Sequence, residues 1–233
     1  IPCFREGNAL LNVRVFYHKT GRAKYISHLD AMRCMQRAIV RAGLPVWYTE
    51  GFNPHIYLTF PLPLPLGYES ESEVMDFRLT DGTFPLPEVT ERLDTALPPD
   101  IRVVRTALPV HKAEDIAKAS YCIRAAAQGF DGKALARAFA SFMEQEEILV
   151  EKQAKKGARK VIKQVDIRPL CTLHAAKAEG DAVQLALQTA AGIRTNVNPS
   201  LLMEAFAAWL PTDGLSFTAC RKALLLADGT AFS

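Results

Sequence analysis

The chain has 233 residues, is 49% hydrophobic and 23% charged, and carries a net charge of +3. That suits one large domain or two small ones with a proper core, in the ordinary range for a soluble globular protein. No run of about 18 apolar residues occurs, so no transmembrane helix is expected.

Residues 1–11 lack the basic-then-apolar order of a signal peptide, and the absence of Met at position 1 reads as a trimmed or processed end. Residues 12–20 alternate as a strand, with Val13, Val15 and Tyr17 on one face. Gly21 kinks it, and 23–26 is a short extended piece. Ser27 is an N-cap, with Asp30 three residues on as a capping-box-like acid. The helix it opens has Leu29, Met32, Met35, Ile39 and Ala42 at core spacing and ends at Gly43. Asp30, Arg33, Arg37 and Arg41 fall on another face. Charge pairing and solvation account for that stripe, and three arginines on it also suit phosphate.

Strand-like runs at 45–49 and 56–60 flank Gly51-Phe52-Asn53-Pro54-His55. Gly51 accepts φ > 0, and Pro54 biases Asn53 to extended backbone. This restricted loop holds out a ring, an amide and an imidazole. The plainer reading is a turn with Phe52 as its core anchor. Pro61, Pro63 and Pro65 then make 61–66 an extended edge. Residues 72–79 form a strand, with Val74, Asp76 and Arg78 on one side and Met75, Phe77 and Leu79 on the other. Residues 85–97 read as a helix with Val89, Leu93 and Ala96 inward, and 101–108 as a strand. The order is βαββαβ, the ferredoxin-like split βαβ pattern.

The pattern recurs after a polar linker at 111–118. Residues 121–126 are a strand, and Asp131 caps a helix with Leu135, Phe139 and Phe142 on its core face. Hairpins follow at 147–153 with 160–167, and at 170–177 with 181–189. Asn198-Pro199 opens a helix with Leu202, Ala205, Phe206 and Trp209 inward, and 217–226 closes the chain. The expected fold is α+β: two ferredoxin-like units in tandem, at 12–110 and 119–229, the second with extra hairpin strands.

Five cysteines, Cys3, Cys34, Cys122, Cys171 and Cys220, are scattered singly. No CxxC or CxxxCxxC occurs, so no zinc ribbon or iron–sulfur cluster bound by this chain alone is expected. Such cysteines fit reduced, buried thiols in a cytoplasm. The cations concentrate at the first hairpin tip, in Lys152, Lys155, Lys156, Arg159, Lys160 and Lys163, with no acid between Lys152 and Lys163. They suggest a docking surface for an anion, or a solvated tip.

Lys19-Thr20-Gly21, Ser27-His28-Leu29-Asp30, Arg33, Gly43, the 51–55 loop, Leu66-Gly67 and Ser70-Glu71-Ser72-Glu73 stand in the order of a known pattern. It resembles the radical SAM-linked protein family of bacteria over most of 12–110. The likeness continues more loosely through Asp166-Ile167-Arg168-Pro169 and Arg194. That resemblance implies an accessory chain, alone or fused behind a radical SAM enzyme with a cobalamin-binding-like region. Within that resemblance, the lack of CxxxCxxC implies that this chain would be the accessory part and not the radical enzyme. One departure is that Ile56 and Tyr57 stand where the family has proline and a basic residue. The tandem order also resembles the RAMP proteins of CRISPR systems, as an analogy of fold.

The expected function is a non-catalytic binding module for RNA or another phosphorylated ligand, cytoplasmic, acting for a radical SAM enzyme, with no cofactor and no membrane. Lys19, His28 and His55 would converge near a helix N-terminus, which favours anions. Arg33 would add a fork, and Phe52 or Tyr57 a stacking surface beside Asn53. The basic hairpin would extend the footprint. Three alternatives stand beside it. One is a metal-independent endoribonuclease with the two histidines as acid and base. Another is metal binding by His28, Asp30 and His55. The last is a protein–protein scaffold using the 61–66 edge.

Overall fold

The structure is a computed structural model that describes residues 10–156, 159–193 and 195–233, with the side chains of 152–161 left aside. It divides into one unit through Asp115 together with Phe232–Ser233, and another of Ile116–Ala231. No helix among the described residues is long and apolar enough to cross a membrane.

The first unit runs β1 (Leu11–Lys19), α1 (His28–Arg41), β2 (Leu58–Thr59), β3 (Glu69–Leu79), α2 (Leu86–Ala96) and β4 (Ile101–Ala107). Its strands pair antiparallel in the order β4-β1-β3-β2. That is the ferredoxin-like arrangement: each helix crossover joins strands with one other strand between them. Period-two alternation sends Val13, Val15 and Tyr17 of β1 into one core with Met75, Phe77 and Leu79 of β3. Met35, Ala38 and Ile39 of α1 and Val89 and Leu93 of α2 complete it.

Ser27 caps α1 as its position suggests, its Oγ accepting from the Asp30 amide at 3.2 Å and donating to Asp30 Oδ2 at 2.7 Å. Leu29 departs from the expected core stripe and is exposed. At about 100° per residue it lies roughly 120° around the helix from Met35. Residues 23–26 also differ, since Gly21–Tyr25 is a 3-10 turn rather than a kinked strand. The Asp100 carbonyl takes the Thr20 amide at 2.9 Å and its carboxylate the Arg22 amide at 3.0 Å, which curls the chain there. The run 56–60 shrinks to the two residues of β2, and 45–49 makes only the single bridges Val46↔Leu79 and Tyr48↔Ile56. Pro45, Pro54 and Pro61 have no N–H to extend a ladder.

The opposite face of β1 holds a fully buried cation. Arg14, 2% exposed, forms a two-pronged bond to Asp76, Nε to Oδ1 at 2.8 Å and Nη2 to Oδ2 at 2.7 Å. Its Nη1 donates to the His111 and Ser233 carbonyls, both at 2.8 Å, and the Phe232 ring lies 4.5 Å from its guanidinium carbon. These bonds place Phe232–Ser233 in the first unit.

The second unit runs β5 (Lys118–Ala126), α3 (Gly132–Met143), β6 (Leu149–Lys156), β7 (Arg159–Asp166), β8 (Cys171–Glu179), β9 (Ala182–Ala190), α4 (Pro199–Trp209) and β10 (Ser216–Leu225). Strands β10-β5-β9-β8 repeat the antiparallel order of the first unit. The hairpin β6-β7 is a separate ribbon inserted between α3 and β8. Asp131 and Asn198 cap α3 and α4. The inner faces meet in an aromatic cluster, with Phe206 4.8 Å from Phe139 and 5.2 Å from Phe142. Gly132 is needed for space, because a Cβ there would stand 2.2 Å from the Ala182 carbonyl.

Asp76→Ala strands the Arg14 charge. The expected loss is about 3 kcal/mol, the low end for a broken buried pair, because Asp76 keeps 22% exposure. Urea denaturation measures it. The double variant Arg14→Met/Asp76→Leu should recover most of that loss.

Candidate functional site

The loop at 51–55 is anchored on both sides. Pro45 accepts from the Thr80 amide at 2.7 Å and Trp47 donates to the Arg78 carbonyl at 2.9 Å. On the return, Leu58 and Thr59 pair with Phe77 and Asp76 of β3. Thr49 and His55 close the neck: Thr49 N–H donates to the His55 carbonyl at 2.8 Å, and His55 N–H to Thr49 Oγ1 at 3.1 Å. Gly51 takes φ +120, a conformation that any side chain would strain.

Beyond that neck Phe52 is 105% exposed, so it anchors no core. Its ring is open to solvent on both faces. Asn53 turns its carbonyl to the His55 ring, with Nδ1 3.0 Å away. Thr49 Oγ1 lies 3.1 Å from the same nitrogen.

Between this loop and the second half of α1 lies an open depression of about 430 Å³, lined by Gln36, Arg37, Val40, Arg41, Tyr48, His55 and Ile56. Arg37 and Arg41 are one helical turn apart and so share a face. Arg41 donates to the Ala96 carbonyl at 2.7 Å, which fixes it beside the groove. Arg37 is exposed and has no such tie among the described residues. Tyr48 is 48% exposed. The groove therefore offers two guanidinium groups for phosphate, a phenol ring for stacking, and an imidazole and an amide for base edges.

The other expected residues fall elsewhere. Lys19 and His28 do line one cavity, with Tyr17, Phe60 and Glu73. It measures about 10 Å³, roughly one water. Lys19 is 4% exposed and Nζ donates to the Ile26 carbonyl at 3.3 Å, while Glu73 is 3% exposed. The alternation that buries Val13, Val15 and Tyr17 carries Lys19 inward too, so it presents no charge to a surface ligand. The His28 ring meets Phe60 edge-on at 5.1 Å. His28 opens α1 while Gln36 to Arg41 close it, so His28 stands about 12–20 Å along the axis from the groove that His55 lines. The expected convergence of Lys19, His28 and His55 is thus corrected to two separate places.

Arg33 is exposed and bonds Asp30 at 3.2 Å, outside the groove lining. Tyr57 stacks on Arg78, ring centroid 4.7 Å from the guanidinium carbon, beside Trp47 at 5.9 Å. Among the described residues no three His, Cys, Asp or Glu side chains are placed to hold a metal.

The basic hairpin is a two-stranded ribbon in which Lys152 pairs in register with Lys163, Lys155 with Lys160 and Lys156 with Arg159. The side chains of Lys152, Lys155, Lys156, Arg159 and Lys160 lie outside the described residues, as does Arg194; Lys163 is exposed. Gln36 and Tyr48 are groove residues that sequence reasoning missed. Arg37 and Arg41 were visible as a stripe, but nothing local says which part of it meets a loop.

With this geometry in view, the chain belongs, by a match over residues 12–199, to a family described as an uncharacterised protein conserved in bacteria (DUF2344). No curated protein matches it. Among solved structures it is similar in fold to a chain of a Cbf5-Nop10-Gar1 complex, at 9% identity and a TM-score of 0.50. That likeness covers 90% of this chain and 47% of the other, so the chain spans about half the length of its structural neighbour.

One consequence concerns acid. Hydrogen bonding from Ser27, aided by Arg33 and opposed by desolvation, holds the Asp30 carboxyl below the ordinary 3.8. A depressed value contributes stability that is present above the ordinary value and lost as pH falls through the folded one. Thermal melts below about pH 4 should therefore be less steeply pH-dependent in Asp30→Asn than in the parent chain. Identical acid dependence would remove Asp30 from the account of α1.

Proposed function

We propose that this chain is a non-catalytic RNA-binding module that acts as an accessory to a radical SAM enzyme. The observation that carries the binding part is the groove between α1 and the braced loop, where Arg37, Arg41, Tyr48 and His55 meet beside the solvated Phe52. Single-stranded RNA matches that set: phosphates for the arginines, an unstacked base for Tyr48, and the next for Phe52. A duplex hides its base faces and gives Phe52 nothing to stack on. Lys163, exposed on the ribbon of the second unit, is a separate cation open to an anionic ligand.

The accessory role rests on the sequence resemblance and the absence of a CxxxCxxC motif. A nuclease reading draws no support from the site, because its two histidines sit at opposite ends of α1. Acid–base catalysis needs both within hydrogen-bond reach of the reacting oxygens.

Fluorescence anisotropy with a labelled single-stranded RNA oligonucleotide tests the binding reading. Phe52→Ala should weaken binding roughly 5- to 150-fold, the value of one stacked base. Arg37→Ala should lower the salt slope by about 0.7, one phosphate's worth on a single strand. No binding at low salt, or variants indistinguishable from the parent, would overturn it. Co-purification of a CxxxCxxC-containing protein with the tagged chain tests the accessory role, and its absence removes that part alone.

A further inference from the structure

Cys122 and Cys220 are far apart in sequence and directly opposite in space. They are register partners on the antiparallel strands β5 and β10. Both are thiols and both are partly exposed, whereas Cys171 is buried and Cys34 sits on α1 of the first unit. The expectation of scattered buried thiols therefore fails at this pair. On β5, Ala119, Tyr121, Ile123 and Ala125 point into the buried face. Cys122 consequently lies on the opposite face, and Cys220, directly across from it, shares that face.

Opposed residues of an antiparallel pair have Cα atoms about 4.5–5.5 Å apart. A disulfide spans Cα separations of about 4.4–6.8 Å, so the spacing of paired strands lies within its reach. The Cβ atoms are less accommodating. They start about 4.5–5.5 Å apart and must close toward about 3.8 Å. A bond made under that constraint at a partly exposed position belongs to the readily reduced kind.

We propose that Cys122 and Cys220 form a reversible redox modification site, oxidised to a cross-strand disulfide by exchange with a low-molecular-weight disulfide. The Cys122 thiolate attacks one sulfur of the small disulfide, forming a mixed disulfide and releasing one small thiolate. The Cys220 thiolate attacks the Cys122 sulfur, forming the cross-strand bond and releasing the second. The protein dithiol is oxidised by two electrons, the small disulfide is reduced to two thiols, and those thiols take up the two protons that the cysteines lose. The roles of the two sulfurs are interchangeable. Because β5 and β10 are the first and last strands of their unit, the bond closes nearly the whole unit into one loop and restricts its unfolded state.

The test treats the full chain with excess glutathione disulfide, blocks remaining thiols, and maps the digest by mass spectrometry beside a thermal melt. Expected are a Cys122–Cys220 linked peptide pair in most molecules, its loss on adding dithiothreitol, and a melting midpoint that rises with the link. Cys122→Ser should instead carry a glutathione adduct on Cys220, with no rise. Separate adducts on both cysteines without a link would overturn the proposal. So would a link to Cys3, Cys34 or Cys171, or no reaction in the folded chain. RNA affinity plays no part in this readout, so the outcome stands apart from that of the groove.

Discussion

The buried guanidinium of Arg14 ties three separated segments of the first unit together. A fully desolvated cation is tolerated only when its donors are matched, and here a carboxylate across the strand pair and two carbonyls from distant segments take them. Asp76 is the register partner of Arg14, so the bond also pins β1 against β3. A slip by one residue would bring a different side chain opposite and leave the charge alone. The same register sets Arg78 two residues along β3 on the same face, where its Nε bonds Asn12 at 3.0 Å and its plane supports Tyr57 and Trp47.

That support reaches the candidate site. Trp47 and Tyr57 stand on the two limbs that carry the loop, and both lean on Arg78. Tyr48 and Ile56, their chain neighbours, face the α1 groove. One side of the edge segment is thus braced by a cation stacked on aromatic rings, while on the other Ile56 is buried in the core and Tyr48 lines the groove. Tyr57 thus acts as a brace against Arg78. The neck closed by Thr49 and His55 limits the backbone freedom of the loop that carries Phe52.

Much of this was legible in the sequence wherever the cause is local. The two faces of β3, the caps at Ser27, Asp131 and Asn198, and the βαββαβ order all follow from alternation and capping chemistry. The loop was legible too, because Gly51 and Pro54 restrict the backbone whatever surrounds them. What failed depended on partners far along the chain. Lys19 looks like a surface cation at a strand end, yet strand parity and the segment carrying Phe60 and Leu64 enclose it. Cys122 and Cys220 look scattered until β5 and β10 pair. Nothing near His28 and His55 says that one opens α1 while the other lies beside its far end.

In the proposed function, the groove beside α1 and the loop it meets form the RNA-contacting surface. Ultraviolet crosslinking of the full chain to single-stranded RNA, followed by identification of the adducted residues, tests it most directly. Adducts are expected on Phe52 and Tyr48, lost in competition with unlabelled single strands and persisting against duplex. Adducts confined to the β6-β7 ribbon, or the absence of any adduct at low salt, would contradict it.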